Sequence, residues 1–295
     1  MSIEALQDYV YVSKYSRHTK AKKRRETWDE TVDRVRDMHL GRYPQIKDDI
    51  EWAFEKVREK RVLGSQRALQ FGGEPILRKH ARLYNCTVSY CDRMRFFQES
   101  LWLLLCGCGV GFSVQTHHIN KLPDFDPNLV EYAAVPEATL DYVDLNSDPR
   151  LGGAWNGRRT FVVPDTIEGW ADALGVLMAT YLPSAGYEDW LGIYVDFDFS
   201  QVRPAGSYLS SGSGKAPGPE PLRRSLEVIR KLLNRCLKAG QTRLRSIDAY
   251  DIIMHASDAV LSGGVRRSAT ICIFSLEDEE MMKAKTGNWY FENPQ

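Results

Sequence analysis

The 295-residue chain is 43% apolar and carries 39 Lys plus Arg against 39 Asp plus Glu, a formal charge of zero. That balance argues against a global electrostatic grip on nucleic acid or an anionic membrane, and the apolar share suffices for a core without disulfides. No run of about 20 apolar residues is present to span a bilayer, and Met1 to Asp8 lacks the apolar centre of a signal peptide, so a cytoplasmic protein with its six cysteines as thiols is expected.

Residues 1 to about 60 read as helix. Thr27-Trp28-Asp29-Glu30 opens a run with apolar residues at Val32, Val35 and Met38, which is helical spacing, and Ile50 to Val62 repeats it. The basic run from Lys14 to Arg25 reads as a solvated helix start. From Leu63 the texture changes, with Gly64, Gly72 and Gly73 marking turns. A helical amino-terminal region, 1–62, is therefore separated from a larger region, 63–295. Short strands are expected at 85–90, 110–115, 193–199 and 269–274, and helices at 96–106, 166–181, 221–239 and 249–261. The 166–181 helix is expected to be amphipathic, with Asp165 as its N-cap. Residues 117–160 and 200–221 read as irregular. Helices alternating with short strands argue for an α/β protein with parallel strands.

Several segments carry chemistry. Ser262-Gly-Gly-Val-Arg-Arg-Ser-Ala-Thr-Ile-Cys272 combines permissive glycines with two arginines that can grip phosphate or stack on a base, and on its own it is an anion-binding loop. Cys86, at the start of an expected strand, is either a redox thiol or a small buried residue. Cys106-x-Cys108 with His117-His118 invites zinc, but the spacing differs from the Cys-x-x-Cys knuckle and Cys106 ends an apolar helix, so no metal is assigned. Cys236 and Cys272 read as core. Gly107-x-Gly109-x-Gly111 imitates a dinucleotide fingerprint but follows a helix and precedes a strand, the reverse of the required order. Its glycines instead let a ribose or a neighbouring strand lie against bare backbone.

Taken together these motifs resemble the ribonucleotide reductases, specifically the monomeric, adenosylcobalamin-dependent ribonucleoside-triphosphate reductases. The resemblance runs through nearly the whole chain in order. Tyr15-Ser-Arg17 with Arg24 to Val32 resembles the amino-terminal helical signature. Ser65-x-Arg67-Ala-Leu69 and Gly72-Gly73 resemble the loop that meets substrate phosphate. Asn85-Cys86 resembles the position of the first reducing cysteine, and Gly109-Val-Gly-Phe112 the glycine strand beneath the substrate. Asp196 to Ser200, Val202 to Gly206 and Gly218 to Leu222 resemble the first loop of the specificity effector site. Gly263 to Ala269 resembles the second.

The resemblance implies an amino-terminal helical region followed by the first half of a ten-stranded α/β barrel. It implies thiyl-radical reduction of the ribose 2′ carbon, for deoxyribonucleotide synthesis, with Cys86 as one thiol of the reducing pair. Ser65, Asn85 and Gly109 would touch substrate. Asp92, Arg203, Gly263, Gly264, Val265, Arg266, Arg267 and Ser268 would touch a deoxynucleotide effector. The implied partners are a ribonucleoside triphosphate, that effector and a thioredoxin-type reductant, with no nucleic acid and no membrane. The family's radical cysteine lies between an Asn and a Glu, as Asn-x-Cys-x-Glu, and no cysteine here has that setting. The second reducing cysteine, the main phosphate loop and the shuttle cysteines are also unmatched. The chain is therefore expected to be an amino-terminal portion, inactive alone, needing a carboxy-terminal reductase fragment, with adenosylcobalamin bound mainly by parts outside it. The alternatives are a non-catalytic nucleotide-binding regulatory protein and a reductase of the iron- or manganese-dependent kind.

Overall fold

The computed structural model describes residues 2–19, 21–133, 156–208, 215–261 and 269–287, with the side chains of 131–133 and 261 excepted. The chain divides into two compact units, Met1–Asn85 with Gly206–Ala216, and Cys86–Ala205 with Pro217–Gln295.

In the first unit, α1 (Ile3–Lys14) is capped by Ser2, whose hydroxyl accepts from the Ala5 N–H at 3.2 Å. The basic run that follows does not begin a helix. It forms a small antiparallel hairpin, β1 (His18–Thr19) with β2 (Arg24–Arg25). The reason is local. Glu30, in the first turn of α2 (Trp28–Arg42), binds both Lys22 and Arg24 while completing a capping box with Thr27. That anchors the cations to the helix start instead of leaving them along a solvated face. Next come α3 (Lys47–Arg58), α4 (Gln66–Phe71) and α5 (Glu74–Arg78). Val32, Val35, Ile50, Leu69, Phe71 and Ile76 form the apolar centre of this unit. Next to it lies a buried ionic knot: Arg34 pairs with Glu26 at 2.8 Å and donates to the carbonyls of Leu69 and Gly72, and Thr31 donates to Glu26 at 2.9 Å.

The second unit runs β3 (Cys86–Tyr90), α6 (Arg95–Cys106), β4 (Gly109–Ser113), α7 (Thr116–Ile119), α8 (Pro127–Ala133), β5 (Arg158–Val162), α9 (Ile167–Tyr181), β6 (Tyr194–Asp198), α10 (Glu220–Lys238), α11 (Ser246–Leu261), β7 (Thr270–Ile273) and α12 (Glu279–Lys283). Strands β3, β4 and β7 form one parallel sheet in that order, and β5 and β6 a second parallel pair. Parallel pairing was expected from the alternation of helix and strand. The segment read as irregular, 117–160, contributes α8 and the start of β5, and α7 overlaps its first residues. Gly107 closes α6 in the left-handed conformation (φ 88°) that glycine adopts without strain, turning the chain directly into β4.

Helix α9 departs from its expected amphipathic character. It is buried from Gly169 to Tyr181 except at Asp172. Its small residues, Ala171, Ala173, Gly175 and Ala179, let neighbours approach from several sides, and a helix apolar all round belongs inside. Its cap also differs. Thr166, not Asp165, accepts the Gly169 N–H, at 2.9 Å, because the Asp165 carboxylate is taken by Arg203 at 2.6 Å. The three-stranded sheet turns Val110 and Phe112 into the core, whereas Val88 and Ile271 on its other face are 68% and 69% exposed. Among the described residues, no helix is long and apolar enough to cross a membrane.

Candidate functional site

Cys86 opens β3 with its side chain exposed. Its Cα partner in the parallel register is Gly109, the first residue of β4. Parallel partners project to the same face, so the glycine leaves bare main chain beside the thiol. The Gly109 carbonyl is held from β3 by the Thr87 hydroxyl at 3.1 Å. Two residues on, Gly111 serves a neighbouring strand. A Cβ there would lie 3.2 Å from the Ile271 side chain of β7. Of the two uses expected of this bare backbone, the neighbouring strand is seen at Gly111, which receives β7.

The remaining cysteines differ from Cys86 in setting. Cys91, Cys106, Cys108 and Cys236 are buried, and Cys272 is partly so. Burial pushes the Cys272 thiol up to about 12 and the Cys91 thiol well above the ordinary range. A protonated, enclosed thiol is a poor nucleophile and a poor electron donor, and Cys86 is the exposed thiol of the six. Among the described residues, no group of three or more His, Cys, Asp or Glu is arranged to hold a metal ion.

Ser65 and Asn85 belong to the first unit and are linked there by a residue the sequence reading assigned no role. Ser65 caps α4, its hydroxyl accepting from the Arg67 N–H at 3.3 Å. The Arg67 guanidinium reaches across to donate to Asn85 Oδ1 at 3.2 Å. Arg67 lies within Ser65-x-Arg67-Ala-Leu69, and a long cation two residues from a candidate phosphate contact is its signal in the sequence.

Among the described residues, the two candidate effector residues, Asp92 and Arg203, hold different partners. Asp92 follows β3 and pairs with Arg93 at 2.8 Å, and Arg93 also binds Glu99. Arg203 pairs with Asp165 ahead of α9. Helices α6 and α9 run antiparallel: Trp102 donates to Glu168 at 3.0 Å and Gln98 to Asp172 at 3.2 Å. Asp92 precedes α6 and Asp165 precedes α9, so the two stand toward opposite ends of that pair. Gly263, Gly264, Val265, Arg266, Arg267 and Ser268 lie outside the described residues.

His117 and His118, read in the sequence only beside the Cys106-x-Cys108 zinc possibility, lie with Tyr90 at the carboxyl ends of β3 and β4, the rings tilted to one another with centroids 4.8 and 4.0 Å apart. These histidines are engaged with one another, with Tyr90 and with Ser113, and the described residues assemble no set that fits a corrin.

No family model matches the chain. It is 31% identical over 287 residues to a protein of Mycobacterium phage D29 named "Putative adenosylcobalamin-dependent ribonucleoside-triphosphate reductase", an alignment covering 92% of this chain and 40% of that one. It is 28% identical over 322 residues to the adenosylcobalamin-dependent ribonucleoside-triphosphate reductase of Lactobacillus delbrueckii subsp. bulgaricus, covering 94% and 42%. A solved B12-dependent (class II) ribonucleotide reductase has the same fold over 94% of this chain and 43% of its own, with a TM-score of 0.70 at 24% identity. The chain thus spans about two-fifths of the length of the relatives it matches. Over nearly its whole length it is homologous to an amino-terminal portion of the adenosylcobalamin-dependent ribonucleoside-triphosphate reductases.

Proposed function

We propose that this chain supplies the nucleotide-handling portion, the first half of the α/β barrel, of a ribonucleotide reductase that converts ribonucleoside triphosphates to 2′-deoxyribonucleotides. The observation that carries this reading is the exposed Cys86 at the head of β3 beside the bare backbone of Gly109. A ribose laid against that backbone would present its 2′ carbon to the thiol. Cys86 and a second cysteine outside this chain would together give two electrons and two protons. The 2′ hydroxyl would leave as water, a hydrogen would replace it, and the two sulfurs would close to a disulfide. A thioredoxin-type reductant would reopen it.

Adenosylcobalamin, when bound, supplies a homolysable carbon–cobalt bond as the source of the radical. It would be held mainly by protein outside this chain. Ser65, Asn85 and Arg67 would orient the substrate. The radical-bearing cysteine would come from a carboxy-terminal reductase part, since none of the six cysteines here has the Asn-x-Cys-x-Glu setting. Asp92, Arg203 and the segment Gly263 to Ser268 would read a deoxynucleotide effector.

The test is reconstitution. The chain is combined with a carboxy-terminal part carrying Asn-x-Cys-x-Glu, adenosylcobalamin, dithiothreitol and each of the four ribonucleoside triphosphates in turn. Deoxynucleotide formation is expected, with Cys86→Ser abolishing multiple turnover while leaving nucleotide binding and folding intact. No product from any substrate, or undiminished turnover by Cys86→Ser, would overturn it.

A further inference from the structure

Three strands end together beside a row of tilted rings. Tyr90, Ser113 and Ile273 are register partners across β3, β4 and β7. Tyr90, 48% exposed, lies 4.8 Å from His118 at an interplanar angle of 37°, and His118 lies 4.0 Å from the exposed His117. The array is anchored. His118 Nδ1 is 2.9 Å from the Ser113 hydroxyl, which also accepts from the Gln115 N–H at 3.2 Å. The start of α7 is tied to the segment after β7 by the Thr116 N–H, donating to Ser275 at 3.0 Å. Rings pinned to a sheet yet open to water are a costly arrangement for packing alone, and a pre-organised one for binding a flat ligand.

The charges around the stack suit a nucleoside. Burial lowers the His118 pKa, His117 and Lys121 lower it further, and Asp92 opposes them. His118 is therefore a neutral ring at neutral pH. Asp92 supplies a carboxylate close enough to influence that ring, and its other neighbour is Arg93. Carboxyl ends of parallel strands are where α/β proteins place ligands, and a carboxylate there is suited to a ribose hydroxyl. Bases stack on Tyr and His rings.

We propose that Tyr90, His118 and His117 form a stacking platform for the base of a deoxynucleoside triphosphate whose sugar hydroxyl is held by Asp92. This rests on reading Asp92 as an effector contact, and it adds the residues that take the base. The base joins the array as a further ring. Because stacking is tolerant of base identity, the platform supplies affinity for all four bases, and purines gain more than pyrimidines through their larger ring surface.

The test uses the whole chain, with dATP, dGTP, dCTP and TTP as probes in calorimetric titrations. Tyr90→Leu and His118→Leu are each expected to weaken binding about tenfold, the loss of one stacked contact, and to narrow the gap between purine and pyrimidine nucleotides. Tyr90→Phe keeps the ring and is expected to bind within about twofold of the native chain, which separates stacking from folding. Asp92→Asn reports on the sugar contact. If Asp92→Asn weakens binding but both leucine variants match the native chain, the platform is wrong and the effector reading stands. If the leucine variants weaken binding and Asp92→Asn does not, the platform stands without that effector assignment. If the native chain binds none of the four nucleotides, both fall.

Discussion

Cys86 and Gly109 are register partners at the heads of two adjacent parallel strands, so the exposed thiol of the chain has bare main chain for its neighbour on the same face of the sheet. The other cysteines are buried or half-buried. Their accessibility should sort them in a simple experiment. With Ellman's reagent at pH 8, the native chain is expected to show one fast thiol, and Cys86→Ser should remove that phase alone. Cys272 should react far more slowly, because burial pushes its thiol up to about 12. A fast phase that survives in Cys86→Ser would mean that another thiol is the accessible one.

Gly175 in α9 lies directly against Gln98 of α6, and a methyl group there would overlap the glutamine side chain. Gln98 cannot easily retreat. It donates to the Tyr187 hydroxyl at 2.7 Å and to Asp172 at 3.2 Å, and Tyr187 in turn donates to Asp172 at 3.0 Å. Alanine normally favours a helix over glycine by about 1 kcal/mol. Overpacking typically costs about 1–3 kcal/mol, and a broken buried hydrogen-bond network adds to it. Gly175→Ala is therefore expected to destabilise the chain by about 2 kcal/mol, read as a lower midpoint in urea. Gln98→Ala should be destabilising alone and should remove most of the cost of Gly175→Ala in the double variant. Additive effects of the two changes would show that the contact is not the cause.

Local signals in the sequence carried far. Leu222, Leu226, Ile229, Leu233 and Leu237 announce the buried stripe of α10, and the glycine after Cys106 marks the end of α6. The helix–strand alternation pointed to parallel pairing. What was not legible depends on partners distant in sequence. Asp165 is a good cap by type, but Arg203, 38 residues away, claims its carboxylate and leaves the role to Thr166. The lysines and arginines after Lys14 look solvated until Glu30 gathers two of them. Helix α9 looks one-sided until neighbours cover every face. At the candidate site, Cys86 and Gly109 were named from motifs, and their adjacency came from strand register, which no local pattern encodes. Arg67 had only its place in the Ser65 motif for a signal, and the grouping of Tyr90 with His118 and His117 has no signature outside the fold.

The ionic knot of the first unit makes its stability depend on pH. Burial alone would raise the Glu26 pKa, but hydrogen bonds and charge from Arg34, with Thr31, outweigh it and hold the carboxyl below its ordinary range. A carboxyl lowered by folding contributes stability above the unfolded value, about 4.3, and that contribution is lost as pH falls through the folded value. The melting temperature of the native chain should therefore drop steeply below about pH 4, and Glu26→Gln should flatten that slope while starting from a lower stability at pH 7. Arg34→Met leaves the carboxylate buried without its cation and should cost about 3–5 kcal/mol at neutral pH. Equal acid slopes in the native chain and Glu26→Gln would remove Glu26 from the account.

Asp92 and Arg203, both candidates for the effector site, belong to opposite ends of the antiparallel α6–α9 pair. Substitutions without a shared partner usually add, and these two residues hold different partners, Arg93 and Asp165. Arg203 is also committed to Asp165 at 2.6 Å, in a pair about one-third exposed on each side. Substitutions at the two positions should therefore act independently on nucleotide affinity. In a double-variant cycle with Asp92→Asn and Arg203→Ala, measured by titration with dATP, the two effects are expected to add within about 0.5 kcal/mol. Each change should weaken affinity, and Arg203→Ala should also lower stability, by about 0.5–1 kcal/mol, through the loss of its partly exposed pair. A coupling energy above about 1 kcal/mol would mean that the two residues act on the nucleotide through a shared contact, and native affinity in Arg203→Ala would remove Arg203 from the effector reading.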